Sequence, residues 1–139
     1  MTGRENPEAA ENAFYAAFAA GDFTTMMDLW AHDDEIICVH PLGPRLSGRA
    51  AIAASWRQLL TAEATRQFDC RIITKWHGDD LAVHMLDELI SVPGSDLRFR
   101  PVIATNVYRR VDDAWYIIEH HASIDASDAR ADTDSATRH

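Results

Sequence analysis

A chain of 139 residues with 47% apolar and 25% charged residues has the size and composition of one ordinary globular domain, which argues against wholesale disorder. Its net charge of -9 at pH 7 argues against nucleic acid and against an anionic membrane surface, since both are held by clustered Lys and Arg. No stretch approaches the roughly 20 apolar residues that span a bilayer, and Met1 to Pro7 lacks the apolar segment of a secretion signal, so a cytoplasmic location is the default expectation.

Three helices are predicted first. Asn6-Pro7-Glu8 reads as a cap, a first-turn proline and an early acid, and Phe14 and Phe18 follow one turn apart until Gly21 stops the helix. Asp22 caps a second, short helix carrying Phe23, Met26, Met27 and Trp30. A short apolar run, Glu35 to His40, closes at Pro41 and the Gly43-Pro44 turn. Ser47 then precedes a third helix with Ile52, Trp56, Leu59 and Leu60 on one face.

Strands fill the rest. Phe68, Cys70, Ile72, Thr74 and Trp76 alternate with polar residues, and Gly78-Asp79-Asp80 turns the chain into Leu81 to Ile90. Pro93-Gly94-Ser95 turns it into Arg98 to Val111, and Asp112-Asp113 makes a tight hairpin into Ala114 to Ile124. These four strands form an antiparallel meander. Helices followed by a meander predict an α+β domain over residues 5–124, with the helices on one face of a curved sheet. The tail, 125–139, lacks periodicity and reads as a disordered acidic end.

The last strand is the most informative segment for chemistry. With a period of two, Trp115, Ile117, Glu119, His121 and Ser123 share one face, and Tyr116, Ile118, His120 and Ala122 the other. Glu119 and His121 on an apolar face suit acid–base work near neutral pH; the alternative is a pair on a solvated sheet face. His40 either lines a cavity mouth or caps its turn, and Trp30 and Trp56 are either core or ligand wall. Asn106 interrupts an apolar strand and needs a partner, either a ligand or a neighbouring strand. Of Asp87 and Glu88, one must point inward; Asp87 is taken with the catalytic set.

The seven histidines show no HxxxH or HxH spacing, so no metal is expected. Cys38 and Cys70 form no CxxC pair, and neither a GxSxG elbow nor a glycine-rich phosphate loop occurs, so no cofactor is expected.

Two strings, VHPLGPRLSGRAAIAASW (Val39 to Trp56) and ATNVYRRVDDAWYIIEHHAS (Ala104 to Ser123), resemble the SnoaL-like branch of the nuclear-transport-factor-2-like superfamily, to which the ketosteroid isomerases belong. The resemblance covers about Pro7 to Ile124. It implies a cone: a strongly bent sheet wrapped over three helices, enclosing an apolar pocket, in a homodimer formed through the sheet face. In relatives closing on W-x-I-x-x-x-H-x-S, here Trp115, Ile117, His121 and Ser123, that His faces the cavity. The catalytic Tyr and Asp of ketosteroid isomerase have no match here, so steroid isomerisation is not carried over.

Two functions follow. In the first, an isomerase, cyclase or hydrolase acts on a small hydrophobic molecule such as a ketone, lactone or polyketide-like ring. His121 shuttles the proton, Glu119 or Asp87 assists, Asn106 and His40 hold the oxygen, and Phe14, Trp30, Trp56 and Tyr108 form the wall. In the second, the same cavity binds without catalysis, or the domain serves only dimerisation or association. A strongly shifted titratable group deep in the pocket separates the first from the second.

Overall fold

The computed structural model describes residues 4–61, 66–92, 94 and 101–126. Helix α1 spans Pro7–Ala20, where Asn6 accepts a hydrogen bond from the Ala9 amide at 2.7 Å and Gly21 closes the helix in the left-handed conformation, φ 70°. Helix α2 spans Phe23–Leu29, capped by Asp22 on the Thr25 amide. Helix α3 spans Arg49–Leu59 and follows Ser47 as expected. Ser47 belongs to a strand, Gly48 holds the capping position at φ 86°, and the missing side-chain cap comes from Asp34 Oδ1, which accepts from the Arg49 amide.

Among the described residues six strands form one mixed sheet: β1 Ile37–Val39, β2 Arg45–Ser47, β3 Gln67–His77, β4 Leu81–Ser91, β5 Val102–Val111 and β6 Ala114–Ile124, in the order β2-β1-β6-β5-β4-β3. The antiparallel meander β3 to β6 is as predicted, while β1 joins β6 in parallel and β2 is a short strand where only a turn was read. The hairpin between β5 and β6 is a two-residue loop with Asp112 and Asp113 both at positive φ, 51° and 68°; its backbone twist matches that of the strands it joins. Of the expected disordered tail, 125–139, all but Asp125 and Ala126 lies outside the described residues.

Cross-strand partners share a face, so the pairing fixes what points where. Ala82, His84, Leu86 and Glu88 of β4 and Val102, Ala104, Asn106 and Tyr108 of β5 are buried against the helices on the inner face. Val83, Met85, Leu89, Ile103 and Val107 lie on the outer face and are only half-buried. The core joins Phe14, Met26, Trp30, Ile52 and Trp56 from the helical layer to Leu86, Ala104, Ile117 and Ala122 from the sheet. Burying the large apolar side chains among these contributes roughly 1.5–3 kcal/mol each.

Two β-bulges break the alternation. In β3, Ile72 pairs with Leu86 and Thr74 with Met85, leaving Ile73 as the extra residue; in β6, Ile117 pairs with Tyr108 and Glu119 with Val107, leaving Ile118. Beyond each bulge the faces exchange. Lys75 and His77 therefore turn inward, while Thr74 and Trp76 turn outward.

Candidate functional site

The bulge at Ile118 decides which histidine enters the interior. Trp115 and Ile117 are buried before it, and after it the buried positions are His120 and Ala122. His121 is exposed and Glu119 half-buried on the outer face, opposite Thr105 and Val107 of β5. This corrects the expectation that His121 and Glu119 share a cavity face with Trp115 and Ile117. Asp87 is corrected as well. It lies on the outer face in an ion pair with Arg71 at 2.7 Å, and its neighbour Glu88 is the acid that points inward.

Of the remaining candidates, Phe14, His40, Trp56 and Asn106 gather around His120. Its ring lies 5.0 Å from Phe14, 6.2 Å from Trp56 and 6.3 Å from His40, centroid to centroid. His40 also meets Trp56 edge-on at 4.8 Å and hydrogen-bonds Ser55 Oγ at 3.1 Å. Trp30 is fully buried in the core, and its strand bridge to Ile117 fixes it there. The indole nitrogens of Trp30 and Trp56 are both buried and without a hydrogen-bond partner.

A polar row crosses this apolar interior because the register aligns Lys75, His84, Asn106, His120 and Cys38 on successive strands. Helix α1 faces the row with Glu11 and Tyr15, one turn apart. Tyr15 donates to Glu88 Oε2 at 2.5 Å, and Tyr108 donates to Glu11 Oε2 at 2.6 Å. Asn106 Nδ2 donates both to Glu11 Oε2, at 3.3 Å, and to the Tyr15 oxygen, at 3.1 Å.

These contacts settle a tautomer. Glu11 Oε2 already accepts from Tyr108, so the donor end of the Asn106 amide faces it and the carbonyl end faces His120 Nδ1, 2.6 Å away. Nδ1 therefore carries the proton, and His120 Nε2 presents a lone pair toward Glu88 Oε2 at 4.0 Å.

Burial sets the proton affinities. It pushes Glu88 up to about 7; the Tyr15 hydrogen bond opposes this, and the charge of Glu11 adds to it. Burial, helped by His40 and His121, pushes His120 down to about 3. The hydroxyls of Tyr15 and Tyr108 rise well above 10, by burial first and then by Glu88 and Glu11 respectively. At neutral pH the centre thus pairs a carboxyl poised to gain or lose a proton with a neutral imidazole. A carboxyl so poised can move a proton to and from a bound molecule.

The outer edge of the network borders a cleft. This cleft of about 400 Å³ is lined by Glu8, Glu11, Asn12, Tyr15, Phe68, Cys70, Ile72 and Lys75, and so reaches the network at Glu11 and Tyr15. A larger, more open hollow of about 810 Å³ adjoins it at Phe68, with Arg66, Leu89 and Ile90 among its lining. Glu8, His77 and His84 meet at the rim of the smaller cleft and could ligate a metal.

Comparison with known proteins agrees with this architecture. The SnoaL-like domain family matches residues 8–127. The chain belongs to that family. Among solved structures, this SnoaL-like domain is similar to a protein of Thiobacillus denitrificans provisionally named as a calcium/calmodulin-dependent protein kinase type II association domain. The two are 40% identical, with a TM-score of 0.81, covering 86% of this chain and 94% of that one. It is also similar to a Streptomyces avermitilis protein provisionally named as a dehydratase of the NTF2-like family, 32% identical with a TM-score of 0.75, covering 85% and 92%. The F-box protein SKIP8 of Arabidopsis thaliana is 25% identical over 99 residues, 71% of this chain but 41% of that protein, so the chain spans less than half the length of this curated relative. Among the described residues no helix is long and apolar enough to cross a membrane.

Glu8, Glu11, Tyr15, His77, His84, Glu88 and His120 are functional candidates that the sequence alone does not single out. A usable signal existed for two of them: Glu11 and Tyr15 stand four apart, beside the face marked by Phe14 and Phe18. For Glu88 and His120 the signal was masked, in one case by adjacency to Asp87 and in the other by the bulge.

Proposed function

We propose that this SnoaL-like domain binds a small, mostly apolar molecule at the cleft between α1 and β3 and exchanges a proton with it through the Glu88–Tyr15 pair. The observation that carries the reading is Glu88: a buried carboxyl with a proton affinity near neutrality, hydrogen-bonded to a tyrosine that borders the cleft. A ligand oxygen seated beside Tyr15 takes the hydroxyl hydrogen bond, and Glu88 is the acid or base behind it. His120, held neutral, keeps its lone pair toward Glu88, while Phe68 and Ile72 give the cleft its apolar wall. The provisional name of the Streptomyces relative as a dehydratase is compatible with such chemistry.

The test is proton exchange itself. Cyclic ketones and lactones incubated with the protein in D₂O acquire deuterium beside the carbonyl, read by NMR. Glu88→Gln keeps ligand binding but slows exchange by about 100-fold or more, the range of a lost general acid–base group. Wild-type exchange rates in Glu88→Gln would overturn the assignment.

A second reading is favoured by the outer face of the sheet. Trp76, Val83, Met85, Leu89, Ile103 and Val107 form an apolar surface there, and a second copy of the chain laid against it makes a homodimer through the sheet. The provisional name of the Thiobacillus relative as an association domain points the same way. Sedimentation of the wild type as a dimer and of Val107→Asp as a folded monomer tests this; a monomeric wild type rejects it.

A further inference from the structure

The rim of the cleft carries a second polar cluster, one that the proposed proton-exchange centre does not use. His77 and His84 lie seven residues apart in sequence, but the β3–β4 pairing sets them on diagonal positions of the inner face, since His84 pairs with Lys75 and His77 with Ala82. Their rings stack with centroids 5.1 Å apart, and their Nε2 atoms approach to 2.9 Å. The first turn of α1 adds Glu8, whose Oε2 lies 3.1 Å from His77 Nε2 and 3.7 Å from His84 Nε2.

Three ligating atoms of two chemical types therefore converge on one point. A triangle with sides of 2.9, 3.1 and 3.7 Å has a circumscribed radius of about 1.9 Å, so an ion at the usual zinc–nitrogen and zinc–oxygen distances of about 2.0–2.2 Å sits just above its centre. The surroundings favour the same use. His84 is fully buried, and its Nδ1 has no aligned hydrogen-bond partner although Glu11 Oε2 lies 3.1 Å away. A metal on Nε2 fixes Nδ1 as the protonated nitrogen and aims it at that carboxylate, the arrangement in which an outer carboxylate orients a ligating imidazole. Glu11 is itself held by Tyr108 and Asn106. Glu8 and His77, by contrast, are 40% and 39% exposed, which leaves an entry path and open coordination positions on the cleft side.

We propose that Glu8, His77 and His84 form a site for a divalent first-row transition ion, Zn²⁺ in the first instance, with three protein ligands and its remaining positions open to the cleft. Two imidazoles and a carboxylate suit such ions better than Mg²⁺ or Ca²⁺, which take all-oxygen shells. Lys75 is the resident competitor: its Nζ lies 3.1 Å from Glu8 Oε2 and must swing away when the ion enters, as its 40% exposure allows. The site does not depend on the reading of Glu88.

The experiment uses tag-free protein stripped by chelator and then titrated with Zn²⁺ by calorimetry and with Co²⁺ by visible absorption. One ion per chain is expected, with a Co²⁺ spectrum of low coordination number. His77→Ala and Glu8→Gln each weaken binding by at least about tenfold. Both positions are partly exposed, and circular dichroism checks that the fold is kept. Lys75→Gln tightens binding by releasing Glu8, whereas His32→Ala, on an exposed histidine elsewhere, changes nothing. Equal affinity in His77→Ala, or no binding by the wild type up to about 1 mM metal, overturns the site.

Discussion

Two polar centres share the inner face of one sheet, only a few residues apart, and burial makes them different instruments. Around Glu88, Asn106 and His120 the side chains are sealed among Phe14, Trp56 and Tyr108, and desolvation pushes Glu88 up to about 7 and His120 down to about 3. Around Glu8, His77 and His84 two of the three side chains reach solvent, and a flexible lysine already samples the same point. The sealed centre suits proton exchange and the open one suits ion capture. Glu11 touches both: it raises the proton affinity of Glu88 and faces His84 Nδ1.

The largest expected effect separates the two titratable groups of the sealed centre by the pH dependence of stability. Glu88 has a folded pKa of about 7 against an ordinary 4.5, so the folded state holds the extra proton. Its contribution is fully present below pH 4.5 and is lost as pH rises through 7, on the order of 3 kcal/mol. His120 has a folded pKa of about 3 against 6.5, so the unfolded state holds the extra proton and stability is lost as pH falls from 6.5 toward 3. The two slopes oppose each other between pH 4.5 and 6.5. Denaturant unfolding of the wild type should therefore be nearly flat in that window, with only a small further fall from pH 6.5 to about 7. Glu88→Gln should instead gain stability steadily up to pH 6.5, and a wild-type-like profile in that variant would show that Glu88 does not titrate as described.

Much of this architecture was legible in the sequence because local rules and tertiary packing agree. Asn6-Pro7, Gly21 and Asp22 punctuate the helices by capping chemistry alone, and Asp112-Asp113 supplies the positive-φ pair that a two-residue hairpin requires. The site was less legible for one physical reason. A bulge inserts one residue without altering composition or hydrophobicity, so period-two extrapolation assigns every later side chain to the wrong face. Ile73 did this to His77 and Ile118 did it to His120, which hid one member of each polar centre. The β2 strand escaped for a different reason: three residues, Arg45-Leu46-Ser47, carry no period, and only pairing with β1 makes them extended.

A smaller effect tests the link between the centres. Glu11→Gln keeps an oxygen to accept from Tyr108 but removes the charge that raises Glu88. The Glu88 pKa, followed by carbon-13 NMR of its carboxyl, should move down from about 7, and affinity at the rim for Zn²⁺ should weaken by about tenfold in the same protein. A shift at one centre without the other would separate them and leave Glu11 with a single role.

The smallest effect bears on the histidine doublet itself. His121 is exposed on the outer face, and among the described residues its side chain makes no hydrogen bond or ion pair, so His121→Ala should change the unfolding free energy by no more than about 0.5 kcal/mol. His120→Ala removes the partner of Asn106 Oδ1 and opens space beside Phe14 and Trp56, so it should cost about 2–4 kcal/mol from an unsatisfied carbonyl and a cavity together. The contrast between adjacent residues measures the bulge directly. If the strand ran without its extra residue at Ile118, the two costs would change places, because His121 would then stand where His120 stands, against the helices.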